Sequence, residues 1–375
     1  MKLAIVHDYL NQYGGAERII EIFHEMYPDA PIYTSVYDPS KLPPVFQEMD
    51  IRPSFLQRIP FISRTLPYYI SLMPLAFEQF DLQEYDVVLS STTSFAKGVI
   101  TSPNCVHICY CNTPMRFAWR YHDYMRERNV GTLRRMMLTL MLHPIRSWDA
   151  VSANYVDYFI ANSYNIARRI SKFYRRDSYV IHCPVDCSRY SIRPEVGDYY
   201  LIVSRLREYK RIDRAIEAFN ELKLPLVIIG EGSDRNRLEQ MAGENTTFLG
   251  RVDEETLQEY YAHCRALIFP GEEDFGLTPV EAMASGRPVI AFGGGGALET
   301  VKENVTGCFF FDPTPASLAA AVRSFDTGQV DPETIRAHAL QFDVKNFRKK
   351  IEDYIQSCVK GNPPCSVNAL SSLNG

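Results

Sequence analysis

The sequence predicts an α/β protein made of two doubly wound parallel-sheet units in tandem. Three observations point there: short apolar runs alternate with segments of helical period, the alternation restarts near Tyr200, and 375 residues exceed one ordinary core. With 46% hydrophobic and 23% charged residues, the composition is that of a globular, soluble chain.

Residues 2–7 read as a buried strand, and Ala16 to Met26 carry helical periodicity, with Asp8 to Gly15 joining them. Strand, loop and helix recur at Val87 to Ser90, at Val106 to Cys111, and at Tyr158 to Asn162 with Ile166 to Tyr174 behind it. The second series comprises Tyr200 to Ser204, Leu226 to Gly230, Phe248 to Gly250, Ala266 to Pro270 and Pro288 to Ala291. Asp186 to Asp198 has no long apolar run and holds Pro194 and Gly197, which places a hinge there. The expected division is a first domain over 1–185 and a second over 186–342. Gly361 to Gly375, rich in Ser, Asn, Pro and Gly, is expected to be a disordered tail.

A net charge of -5 argues against a dedicated nucleic-acid binder, because no excess of Lys and Arg is available to neutralise phosphates. The start lacks a charged leader followed by an apolar segment, and no 18 uncharged apolar residues occur in a row, so a cytoplasmic protein is expected. The 9 Cys are odd in number, and neither Cys109-x-Cys111 nor Cys183-x-x-x-Cys187 makes a zinc set without nearby His. They read as reduced, mostly buried thiols.

Arg52 to Phe77 and Met115 to Trp148 interrupt the rhythm. The first interleaves Arg52, Arg58 and Arg64 with Phe55, Leu56, Ile59, Phe61, Ile62, Tyr68 and Tyr69. The second flanks Met136, Met137, Leu138, Leu140, Met141 and Leu142 with Arg126, Arg128, Arg134, Arg135 and Arg146. That composition suits contact with an anionic lipid surface, peripheral on the inner face of the cell membrane; a core helix with a solvated basic face has it too.

The chemistry concentrates at strand ends. Glu273 and Glu281 stand eight positions apart across a strand-to-helix turn, Phe269 to Met283, with Glu273 at a strand's carboxyl end, where open α/β sheets bind ligands. Thr278-Pro279-Val280-Glu281 also reads as a capping box, a purely structural use of Glu281 contributing about 1 kcal/mol. Gly14-Gly15, in the first strand-to-helix turn, lets backbone amides approach a phosphate, though a plain tight turn explains it as well. Arg205 and Lys210 follow the first strand of the second series and offer a fork and a point charge to a diphosphate. Gly230-Glu231-Gly232 and Gly293 to Gly296 are permissive loops at strand ends of the same half, suited to a nucleotide crevice. No Asp-x-Asp occurs, so cationic side chains rather than a bound metal are expected to neutralise the leaving group.

From Lys2 to Tyr354 the chain resembles the family-4 retaining glycosyltransferases of GT-B fold, in which two Rossmann-like domains face across a cleft. The resemblance rests on His7-Asp8-Tyr9, Gly14-Gly15-Ala16-Glu17, Asn162-Ser163, Cys183-Pro184-Val185-Asp186, Ser204-Arg205-Leu206 with Lys210, Gly230-Glu231-Gly232, and Glu273 to Glu281 as a Glu-x7-Glu motif. Glu272 to Gly276 and Tyr110 to Arg116 resemble the mannosyltransferase branch that builds lipopolysaccharide, capsule or exopolysaccharide.

The resemblance implies that Arg205 and Lys210 hold the donor diphosphate and Glu281 the ribose. It implies that Glu273, with the backbone of Phe275 and Gly276, holds the donor sugar, with Gly230 and Leu277 lining the donor site. Gly14 and Gly15 would approach the reacting phosphate, and a helix over 343–360 would cross back to the first domain. Asn112 departs from the pattern, standing where many relatives have His, so no imidazole role carries over.

The expected function is transfer of a hexose, mannose from GDP-mannose, to a lipid-linked glycan with retention at the anomeric carbon and no metal or other cofactor. Two alternatives share the site: a sugar-nucleotide epimerase of GT-B fold, and a non-catalytic sugar-nucleotide-binding subunit.

Overall fold

A computed structural model describes residues 1–119 and 132–364. The chain divides into two compact units, Met1–His182 with residues 348–364, and Cys183–Phe347.

The first unit is a seven-stranded parallel sheet of β1 (Leu3–His7), β2 (Ile32–Thr34), β3 (Ile51–Pro53), β4 (Val87–Thr92), β5 (Val106–Cys111), β6 (Tyr158–Ala161) and β7 (Ser178–Val180). The order is β3-β2-β1-β4-β5-β6-β7. β1 and β4 are buried throughout and pair in register from Leu3 with Val87 to His7 with Ser91. Burial on both faces is why each begins as an apolar run, Leu3 to Val6 and Val87 to Leu89, before buried polar residues at its carboxyl end. The helix Gly15–Met26 packs Ile19, Ile20 and Phe23 inward from the first crossover.

The second unit repeats the plan with six strands, β8 (Tyr200–Val203), β9 (Leu226–Ile229), β10 (Thr246–Gly250), β11 (Leu267–Phe269), β12 (Val289–Phe292) and β13 (Gly307–Phe310), ordered β10-β9-β8-β11-β12-β13. Its core joins Ile202, Ile228, Ile268 and Ile290 of the sheet to Ile216 and Phe219 of the Ile212–Leu222 helix. In both sheets the strand order reverses beside the first strand, between β1 and β4 and between β8 and β11. Such a reversal opens a crevice beyond the carboxyl ends of the strands.

The segment 186–198, in which the hinge is expected, is held to the second unit. Cys187 N donates to Asp343 Oδ2 at 3.2 Å, Gly197 N to His263 O at 2.7 Å, and the Arg336 guanidinium to the carbonyls of Cys187 and Tyr190. The helix Val344–Val359 groups with the first unit from Arg348 onward. There Tyr354 stacks on Tyr179 at 5.0 Å and Arg348 pairs with Glu25.

The basic and apolar stretch over 52–77 separates into two sets. Leu56, Ile62 and Leu66 are core, and exposed Arg52 pairs with Asp50 and donates to the Tyr33 hydroxyl. Phe61 (77% exposed), Tyr68 (83%), Leu72 and Leu75 remain at the surface near exposed Arg58 and Arg64. In the second stretch, Arg126 and Arg128 lie outside the described residues, as do the side chains of Arg134, Arg135, Met137 and Leu138. Met136, Leu140 and Met141 of the Thr132–Ser152 helix are exposed, whereas Leu142 is buried and Arg146 donates to Ala118 O at 2.9 Å. Among the described residues no helix is long and apolar enough to cross a membrane. The expected tail from Gly361 lies largely outside them, since residues 365–375 are not described.

Candidate active site

At the reversal point of the second sheet, the loop after β8 brings Lys210 against Glu273 from the loop after β11. The ammonium and carboxylate form an ion pair with side chains only 13% and 23% exposed. Lys210 ends a single turn over Glu208–Lys210, closed by its amide on Arg207 O at 3.0 Å, and Arg211 then takes a left-handed conformation that starts the next helix. Arg205 lies exposed on the same loop.

The glycines explain how these loops are held. A Cβ on Gly230 (φ +132°) would lie 1.9 Å from Ser204 O, and one on Gly232 2.0 Å from Leu206 O. A Cβ on Gly271 would lie 2.6 Å from Lys210 O, and one on Gly296 2.3 Å from Phe275 Cα. Gly296 N also donates to Glu273 O at 2.9 Å. What comes close to these four glycines is neighbouring backbone, so they let the loops bearing Lys210 and Glu273 pack on their neighbours.

The turn after Glu273 also differs from expectation. Gly276, at φ +88°, caps the helix Leu277–Ala284, so Thr278 is its second residue and the capping box does not form. Glu281 is instead buried at 5% exposure, and the Tyr261 hydroxyl donates to its Oε2 at 2.7 Å. Phe275 is buried with its ring edge-on to Phe342 at 5.6 Å, and Leu277 is half-buried at the helix start.

The corresponding point of the first sheet is filled from within. The Asp8 carboxylate, fully buried after β1, accepts from the amides of Ser94 (2.9 Å), Phe95 (2.6 Å) and Ala96 (2.7 Å), and from the amide and hydroxyl of Thr93. Those converging amides would make an anion site, but the chain's own carboxylate occupies it. Beside it, His7 Nδ1 lies 3.2 Å from Ser91 O, and Nε2 3.8 Å from Glu17 Oε1. Burial alone would raise the Glu17 carboxyl, but His7 and Gln12 outweigh it and hold the group below the usual range. Gly14 caps the Gly15–Met26 helix in ordinary extended backbone, φ -161°. Asn112 donates to Ser91 Oγ at 3.0 Å and accepts at its backbone carbonyl from Asn162 at 2.9 Å, tying three strand ends together.

Of the expected donor-site residues, the structure brings Lys210 and Glu273 into contact and sets Glu281 on the helix that follows. Gly230 braces the Arg205 loop, while Gly14 and Gly15 belong to the first unit. Sequence reasoning missed Tyr261, which a helical pattern presents only as core. Among the described residues no group of three or more His, Cys, Asp or Glu is placed to hold a metal ion.

Residues 191–341 match the family described as glycosyl transferases group 1. The chain carries a glycosyl transferases group 1 domain. Arg205, Lys210, Tyr261, Glu273 and Glu281 lie within it. A GDP-mannose-dependent alpha-mannosyltransferase of Mycolicibacterium smegmatis is 37% identical over 132 residues, 35% of this chain and 34% of that one. O-antigen chain mannosyltransferase C of Escherichia coli is 31% identical over 125 residues, 31% of this chain and 34% of that one. The chain thus spans about a third of the length of these curated relatives. A solved Anabaena protein in complex with UDP superposes with a TM-score of 0.69 at 18% identity, over 95% of this chain and 100% of that one. The group 1 domain and the unit before it are the two parallel-sheet, Rossmann-like domains of the GT-B fold.

Proposed function

We propose that this protein is a retaining hexosyltransferase that moves mannose from GDP-mannose to a lipid-linked glycan in the synthesis of a surface polysaccharide. The observation that carries this reading is the Lys210–Glu273 pair at the reversal point of the group 1 domain, with Glu281 one helix further on. A diphosphate needs fixed positive charge, and the Lys210 side chain, 13% exposed, is held largely out of water at the strand ends where nucleotides bind. In the first unit the comparable amides are already taken by Asp8, which supports a donor-phosphate site in the second. The names of the two mannosyltransferases support mannose as the sugar.

In this reading Lys210 and Arg205 stabilise the departing diphosphate, without a metal ion. A cationic pair aimed at charge that develops in the transition state contributes about 3 to 4 kcal/mol. Glu273 binds donor sugar hydroxyls, with the backbone of Phe275 and Gly276 beside it, and Glu281 binds the ribose. The acceptor hydroxyl attacks from the face the diphosphate leaves, and a phosphate oxygen takes its proton. Asn112, already committed to Ser91, then has no proton to move.

The acceptor places the enzyme on the inner face of the cell membrane. Exposed Phe61, Tyr68, Leu72 and Leu75, with Arg58 and Arg64, have the chemistry to lie against anionic lipid there.

The test is incubation with labelled GDP-mannose and a membrane lipid extract, comparing wild type with Glu273→Ala and Lys210→Ala. Transfer to lipid by wild type and its loss in both variants is expected. Equal transfer by all three removes the site assignment, and transfer from UDP-glucose instead replaces the donor.

A further inference from the structure

The Glu281 carboxylate reaches its position with a partner that no motif announces. Tyr261 lies on the helix Glu254–His263 and is fully buried, and its hydroxyl donates to Glu281 Oε2 at 2.7 Å. The tyrosine is itself held in place. Its ring meets Tyr190 edge-on at 5.8 Å, its carbonyl accepts from Cys264 Sγ, and the carbonyl of the next residue, Ala262, accepts from the buried Arg287 guanidinium at 2.7 Å. Asp253 caps the helix by accepting from Thr256 N at 2.8 Å.

We propose that Tyr261 is a positioning residue for the nucleoside end of the donor site, fixing the Glu281 carboxylate so that it selects a ribose bearing both hydroxyls. The inference rests on the reading of Glu281 as the ribose-binding residue. A glutamate has three side-chain torsions, and one left to choose its own rotamer spends binding energy on being ordered when the ligand arrives. A hydrogen bond to one carboxylate oxygen from a rigid, buried ring removes that freedom beforehand, and a charged acceptor makes the bond a strong one. Burial, then Glu281, push the Tyr261 phenol well above 10, so it remains a donor across the working pH range. A merely structural tyrosine would support the helix pair without regard to what the ligand's sugar carries.

That difference sets the experiment. Affinities of GDP and 2′,3′-dideoxy-GDP are measured by calorimetry on the full chain, with UDP and its dideoxy form in parallel, for wild type and Tyr261→Phe. Wild type is expected to prefer the intact ribose by about tenfold or more, the size of one good charge-assisted hydrogen bond. Tyr261→Phe is expected to shrink the preference to within about threefold while binding the dideoxy form as wild type does, and to raise the donor KM with little change in kcat. Placing para-aminophenylalanine at position 261 keeps a donor at the ring's far end and is expected to restore the preference.

Equal weakening of both nucleotides by Tyr261→Phe, with the ratio kept, overturns the inference and leaves the reading of Glu281 standing. A wild type indifferent to the hydroxyls overturns that reading instead, and the inference with it. If Tyr261→Phe does not fold, the aminophenylalanine protein decides: a folded variant without the preference overturns the proposal.

Discussion

Lys210 and Glu273 meet from opposite sides of the point where the second sheet reverses its strand order, one on the loop after β8 and the other on the loop after β11. Each neutralises the other. In the proposed function a diphosphate arriving at Lys210 would compete with that carboxylate, and the displacement would release Glu273 to accept from sugar hydroxyls. Binding of phosphate and of sugar would then be coupled through one ion pair.

Removing the competitor should therefore help one step and harm the other. Glu273→Gln is expected to bind GDP about fivefold more tightly, roughly 1 kcal/mol. The same variant should transfer sugar at least tenfold more slowly. Lys210→Ala should lose both. Calorimetry with GDP and a transfer assay check this, and weaker GDP binding by Glu273→Gln would show that the carboxylate is not a competitor.

Gly296 sets the height of the Glu273 loop. An added Cβ would lie 2.3 Å from the Phe275 Cα, a backbone atom that cannot rotate aside, whereas at Gly294 the nearest atom is on the Phe292 ring, at 2.9 Å. Gly296→Ala is expected to weaken nucleotide binding tenfold or more, about 1.4 kcal/mol, and Gly294→Ala by less than threefold. Similar losses in the two variants would place the constraint elsewhere.

These contrasts show where sequence reading runs out. β1, β4, β5, β8 and β9 were legible because burial on both faces makes them predominantly apolar in their first residues or throughout. The three-residue strands Ile32–Thr34, Ile51–Pro53 and Ser178–Val180 were not, since three residues carry no period, and the last two are edges, where Pro53 is tolerated. Glu273 and Lys210 stood out because they follow strands that flank the reversal. Tyr261 did not, because a buried tyrosine on a helix looks the same whether or not its hydroxyl has a task. For Asp8 and the glycines, the deciding partners are loops far away in sequence: residues 93–96 for Asp8, and residues 204–206 for Gly230 and Gly232.

His107 supplies a pH dependence whose sign can be worked out. It is fully buried on β5, with Nδ1 3.1 Å from Tyr155 O and Nε2 2.8 Å from Ser90 Oγ, a geometry suited to a neutral ring that donates to the carbonyl and accepts from the hydroxyl. Burial lowers its pKa from 6.5 to about 4, against the opposing pull of the Tyr155 carbonyl and Asp157. The unfolded chain therefore takes up the proton first. Stability from this group is complete above about pH 6.5 and falls as pH drops toward 4. Unfolding should cost about 2 kcal/mol less at pH 5 than at pH 7 on this account alone. Urea titrations of wild type and His107→Gln at the two pH values check it, and an unchanged difference in the variant would assign the acid sensitivity to other groups.

The turn after β4 is held twice, by Asp8 on its amides and by Lys97 immediately beyond them. Lys97 and Asp149 are both fully buried and form an ion pair, with the ammonium also 5.2 Å from the Trp148 ring and 5.1 Å from Tyr174. Asp149 receives further donors on its second oxygen, Trp119 Nε1 at 2.6 Å and the Tyr174 hydroxyl at 3.0 Å. Those two neutral donors cannot replace a cation, because a carboxylate with no counter-charge in this interior has no water to stabilise it. Lys97→Met is expected to cost about 3 to 5 kcal/mol, since it strands the Asp149 charge, whereas Lys97→Met with Asp149→Asn should recover much of the loss by removing that charge as well. Urea denaturation of the single and double variants measures the difference. A double variant no more stable than the single one would mean that the aromatic cage around the ammonium, and not the ion pair, carries the stability.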